Sequence, residues 1–220
     1  MFGSSWFITF GTMKRILILF LFTQFLVGTQ VSFAQKVYRN EMGGIITREK
    51  YEKQILEGPY FGVPGKEADE QVLVHRMPFG QIANPIVYYE KTDNLEAFSL
   101  GKSLIVIYYP GKDECNSTGS GNNASTFKKK HETLLKWAEK ENAANPIYLY
   151  SRQEGLKKYG KNIQWNPDPE MIFTKQFFKF PYPCESFVVI HPSGNYRSIL
   201  GEYPLSQIQV ALKNLNRDYN

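Results

Sequence analysis

Lys102-Ser103-Leu104-Ile105-Val106-Ile107-Tyr108-Tyr109-Pro110-Gly111-Lys112-Asp113-Glu114-Cys115-Asn116 is the stretch on which the reading of this chain turns. Ser103 to Tyr109 form a continuous apolar run, the pattern of a strand enclosed on both faces of a sheet. Pro110-Gly111 ends it, and a short polar segment delivers Cys115. Beyond the loop Gly119-Ser120-Gly121-Asn122-Asn123, Ser125 is placed to cap a helix in which Phe127, His131, Leu134, Leu135 and Ala138 share one apolar stripe. A buried strand thus hands a cysteine to a loop, and a helix follows.

Downstream, Pro146-Ile147-Tyr148-Leu149-Tyr150 reads as the next strand, and Gln153 to Tyr159 as a short helix stopped by Gly160. Pro169 suits the first turn of a helix over Glu170 to Phe178. Ser186 to Ile190 and Tyr196 to Leu200, joined by His191-Pro192-Ser193-Gly194-Asn195, read as a hairpin. Pro204 opens a closing amphipathic helix bearing Ile208, Ala211, Leu212 and Leu215. Upstream of the central strand, Ile86-Val87-Tyr88-Tyr89 is a short apolar run, and Thr92 to Gly101 reads as a polar connection. The alternation of elements from Ile82 onward is the signature of α/β construction.

The N-terminal part carries weaker signals. Lys36-Val37-Tyr38 and Ile45-Ile46 are short strand candidates around the turn Gly43-Gly44. Thr47 looks like the N-cap of a helix over Arg48 to Leu56. Pro59 to Gly65 is read as a linker or ordered loop, and Gln71 to Arg76 as a half-buried strand. Together they make a small α+β extension over residues 35–84, ahead of a main domain over 85–220. Before both, Lys14-Arg15, the apolar run Ile16 to Val27, and Ser32-Phe33-Ala34 ahead of Gln35 spell a secretory signal peptide over residues 1–34. Its apolar run is about twelve residues, short of the roughly 20 that a spanning helix needs. No membrane span is therefore expected after cleavage. Met13 is the more natural start of such a signal than Met1.

With 42% hydrophobic and 15% aromatic residues in 220, the chain has ample material for a core. The formal charge of +5 falls to +3 once Lys14 and Arg15 are removed. The lysine runs 128–130 and 157–158 are interleaved with acids and read as solvated helix faces, so no nucleic-acid partner is expected. His75, His131 and His191 have no spacing that suits zinc, and no serine triad or phosphate-cradling glycine loop occurs. No metal or cofactor is expected. Asn116-Ser117-Thr118 and Asn123-Ala124-Ser125 match the glycosylation sequon and are read as chance matches. The aromatic group Trp165, Phe173, Phe177, Phe178, Phe180 and Tyr182 is assigned to the core rather than to a partner surface.

From Lys102 the order strand, helix, strand, helices, strand, strand, helix resembles thioredoxin-like proteins, closest to the exported bacterial TlpA/ResA type, over about Ile86 to Asn220. The resemblance implies a central mixed sheet with flanking helices, a C-terminal hairpin and helix, residence in the bacterial periplasm or cell envelope, and a protein partner or thiol client. Two departures stand out. Where the family carries Cys-x-x-Cys this chain reads Cys115-Asn116-Ser117-Thr118, and the position of the family's cis-proline falls on Glu185 or Ser186, with Pro181 and Pro183 nearby.

In the family's fold the loop before the hairpin lies against the active-site loop. The resemblance therefore implies that Cys115 and Cys184 approach within bonding reach, closing a loop of roughly 70 residues worth about 4 kcal/mol by loop-closure entropy. Two functions stay open. One is thiol-disulfide exchange with Cys115 as attacking thiol and Cys184 as resolver. The other is a redox-inactive binding or structural module in which the same pair is a structural disulfide. Asp113 and Glu114 argue against an activated thiol, because like charge raises a thiol pKa.

Overall fold

A computed structural model describes residues 36–112, 124–180, 182 and 184–219. The signal-peptide reading of residues 1–34 lies outside the described residues. Val37–Asn220 form one compact unit. The chain is a mixed α/β protein with two mixed sheets and six α-helices among the described residues.

The smaller sheet is built from β1 (Val37–Asn40), β2 (Ile45–Ile46), β3 (Tyr60–Pro64) and β4 (Glu70–His75), in the order β2-β1-β4-β3. Between β2 and β3 runs α1 (Arg48–Glu57), whose N-cap Thr47 accepts the Lys50 amide at 3.2 Å. The segment read as a linker or ordered loop, Pro59 to Gly65, instead contains β3. As an edge strand it tolerates Pro64. Its Gly62 is required by close approach, because a Cβ there would sit 1.7 Å from the Tyr51 hydroxyl of α1.

The larger sheet holds six strands in the order β5-β10-β9-β6-β7-β8. They are β5 (Phe79–Gln81), β6 (Leu104–Tyr109), β7 (Ile147–Tyr150), β8 (Trp165–Pro167), β9 (Ser186–Ile190) and β10 (Asn195–Ile199). β6, β7 and β8 run parallel, while β9 is antiparallel to β6, β10 to β9 and β5 to β10. The connections contain α2 (Ile86–Glu90), α3 (Leu95–Ser99), α4 (Ala124–Lys140), α5 (Ile172–Gln176) and α6 (Ser206–Tyr219).

Several sequence expectations need correction. The supposed polar connection Thr92 to Gly101 contains α3, started after Asn94, and the apolar run at Ile86 is the helix α2. Between Gln153 and Tyr159 only a 3-10 turn, Leu156–Tyr159, forms. Ser125 lies inside α4 rather than capping it. β8 went unread because Trp165-Asn166-Pro167 is a three-residue edge strand ending in proline.

Every residue of β6 is buried, as its uninterrupted apolarity predicts. Alternation then sorts the side chains onto two faces. Leu104, Val106 and Tyr108 join Val188 and Ile190 in a cluster with Val63, Val72 and Val74 of the smaller sheet and with Phe173, Phe177, Phe178 and Tyr182. Ile105, Ile107 and Tyr109 join Phe187 and Val189 beneath Phe127, Leu134 and Ala138 of α4 and Ile208, Leu212 and Leu215 of α6. Burying each such side chain contributes roughly 1.5–3 kcal/mol. Phe173, Phe177, Phe178 and Tyr182 are thus core residues, as expected.

Candidate functional site

The parallel strands β6, β7 and β8 end on one side of the large sheet, where ligands and reactive groups gather in open α/β sheets. β9 runs antiparallel to β6, so its start lies at that same end. Tyr108 of β6 pairs with Ser186 of β9, which places Cys184 two residues before the pair and Cys115 six residues beyond Tyr109. Cys184 is half-buried and adopts a left-handed conformation with φ +61°, an uncommon state for a residue with a Cβ. Cys115, Asp113, Glu114 and Thr118 lie outside the described residues, as do Pro181 and Pro183. No cis peptide bond occurs among the described residues.

Glu185 follows Cys184, and its parity with Phe187 and Val189 turns its side chain to the face covered by α4 and α6. The residue is half-buried, and burial of its carboxyl pushes the pKa up. The Tyr159 hydroxyl donates to Glu185 Oε1, and Lys130 and Lys158 favour the charged form without cancelling the effect of burial. Burial and the neighbouring carboxyl both hold the Tyr159 phenol well above the ordinary tyrosine range, so it remains a donor. Tyr203 is pushed up by burial and by the same carboxyl.

Glu185 and Tyr159 line a cavity of about 20 Å³ between α4, the 3-10 turn and the sheet. Its walls include Ile107, Phe127, Lys130, Tyr148, Trp165 and Tyr203. Tyr148 Oη lies 2.8 Å from His131 Nδ1, and desolvation lowers the His131 pKa. The Trp165 indole nitrogen is buried and has no hydrogen-bond partner among the described residues. The cavity has room for about a water molecule, which needs some 10–15 Å³. Glu185 thus holds its proton more tightly than an ordinary glutamate, in a largely aromatic setting one residue from a sulfur.

On the opposite face the end of β6 is pinned by a different network. The Asp168 carboxylate accepts the Phe173 amide at 3.2 Å, the Thr174 amide at 2.7 Å and the Thr174 hydroxyl at 2.6 Å. Thr174 Oγ1 in turn lies 2.7 Å from Tyr108 Oη. This holds α5 in place despite left-handed Glu170 and Met171 immediately before it.

Of the residues singled out by sequence, Cys184 therefore stands at the end of β6, while Cys115 lies outside the described residues. His75 is on β4 and His191 is at the hairpin turn. Among the described residues no group of three or more His, Cys, Asp or Glu side chains is placed to hold a metal ion. Nor is any helix among them long and apolar enough to cross a membrane. Glu185 and Tyr159 were not singled out, although one signal was legible. Glu185 shares the inward parity of Phe187 and Val189, an acid where the pattern demands an apolar residue. No family model matches the chain, and no curated protein matches it.

Proposed function

We propose that this is an exported thioredoxin-like protein that takes part in thiol-disulfide exchange through the inter-loop pair Cys115 and Cys184. The observation that carries the reading is the β6–β9 register, because it brings the loop bearing Cys184 to the end of the strand from which Cys115 departs. Six residues span at most about 20 Å when extended, so the chain has ample reach to bring the sulfurs together. No free cysteine occurs among the described residues, and the chain has only two. The partial exposure and left-handed backbone of Cys184 favour a reactive pair over an inert one. Export rests on the basic, apolar and small-residue pattern of residues 14–34.

In the reduced form the Cys115 thiolate attacks a client disulfide, breaking its S–S bond and releasing one client thiolate. The Cys184 thiolate then attacks the mixed disulfide, re-forms the Cys115–Cys184 bond and releases the second client sulfur. Two electrons pass to the client, whose two thiolates take protons. The pair does here what two sulfurs on a single loop do in the Cys-x-x-Cys arrangement.

A second reading, a binding or structural module stapled by the same bridge, is favoured by Thr118 standing where the family's second sulfur would be. Insulin reduction by the mature protein separates the two. Exchange predicts activity that Cys115→Ser abolishes, and equal turnover in wild type and variant leaves only the staple.

A further inference from the structure

β5 is the open edge of the large sheet, and its backbone is half used. The ladder to β10 is carried by alternate residues: Ser198 N donates to Pro78 O at 2.9 Å, Ile82 N to Gly194 O at 2.9 Å and Leu200 N to Arg76 O at 2.8 Å. In an antiparallel pair the intervening residues turn their N–H and C=O groups away from the partner strand. Those residues are Phe79 and Gln81, and neither backbone has a partner among the described residues. Such an edge is a template for another strand.

Beside it lies an apolar groove of about 60 Å³ between β5, β10 and α6. Phe79 is 70% exposed, Met77 45% and Val210 of α6 46%, so apolar surface flanks the groove on both sides. Arg197 is the single charged residue lining it among the described residues, and its guanidinium stands 5.8 Å from the Phe79 ring. Asp218 is shared between Arg197 at 3.2 Å and Arg217 at 2.9 Å, so that among the described residues two guanidiniums draw on one carboxylate and leave an excess of positive charge here. Backbone complementarity, apolar walls and that excess charge together define an occupant.

We propose that β5 binds an extended segment of a partner protein by strand addition, with an apolar side chain seated between Phe79 and Val210 and an acidic residue facing Arg197. Main-chain hydrogen bonds to Phe79 and Gln81 supply affinity, and the groove and Arg197 supply selectivity. This site does not depend on the thiol chemistry proposed above.

The test uses the mature protein and a blocked, fluorescein-labelled heptapeptide alternating threonine and valine with one central glutamate, read by anisotropy. The expected result is saturable binding below about 1 mM that falls at least about tenfold in Val210→Glu and in the glutamate-to-lysine peptide, and that disappears when the backbone nitrogens facing β5 are methylated. Val210 is exposed, so an unchanged melting curve for Val210→Glu verifies its fold, and the methylated peptide tests the idea with wild-type protein alone. Equal binding of the methylated peptide, or no binding up to about 1 mM, overturns the proposal. So does a dimer through this edge that the peptide fails to displace, since a second copy would then be the occupant.

Discussion

The two faces of the six-stranded sheet are made by the same strands yet solve burial differently. On one, Leu104, Val106, Tyr108, Val188 and Ile190 meet the smaller sheet and a run of aromatic rings, Tyr108 stacking on Phe178 at 4.2 Å. Its buried carboxylate, Asp168, accepts from three donors of α5. On the other, the equally apolar set Ile105, Ile107, Phe187 and Val189 shares its space with Glu185, whose carboxyl is enclosed beside a small cavity. One face satisfies its acid and is built for stability. The other raises the pKa of its acid by burial, next to Cys184.

The contrast breaks most visibly under truncation of the first face. Phe173→Ala removes a fully buried ring and should lower unfolding free energy by about 3–5 kcal/mol, read by urea denaturation. A loss below about 1 kcal/mol would mean that this face is loosely packed. Next comes Cys184→Ser, which removes the proposed bridge and should lower the stability of the oxidised protein by about 4 kcal/mol relative to wild type. Under reducing conditions the two should converge, and a difference that persists there would assign the loss to packing.

Smaller still is Asp168→Ala, which strands the amides of Phe173 and Thr174 and should cost about 1–2 kcal/mol by thermal melting. The Glu185 prediction is one of shape rather than size. A carboxyl whose folded pKa is raised binds more protons in the native state. Its stability contribution is therefore complete below the ordinary glutamate value near 4.3 and is lost as pH rises through the raised one. Glu185→Gln should flatten that decline, and identical pH–stability curves for the two proteins would show that the carboxyl ionises freely.

Much of the architecture was legible because burial leaves a plain mark. β6 is apolar at every position, α4 and α6 carry their stripes at helical spacing, and Gly194 in the turn between two apolar runs marks the hairpin. What escaped was short or masked by special residues. β3 hides its strand behind Gly62 and two flanking prolines, and β8 is three residues with a terminal proline. α3 hides in a segment with only Leu95, Ala97 and Phe98 to mark it.

The candidate site was legible as sulfur and unread as carboxyl. Two cysteines in a chain of 220 residues draw notice at once. An acid at an inward strand position does so only when parity is counted from the neighbouring core residues, and Tyr159 reaches it across 26 residues of sequence. Long-range partners of that kind leave no periodic trace.

The most direct test of the central claim is thiol trapping of the mature protein across a glutathione redox series, with peptide mapping of the oxidised form. The account predicts one Cys115–Cys184 cross-link that opens and closes reversibly within the range of cellular thiol couples, with two thiols appearing together. Two free thiols in oxidised protein, or a cross-link that stays closed until the chain unfolds, would contradict it.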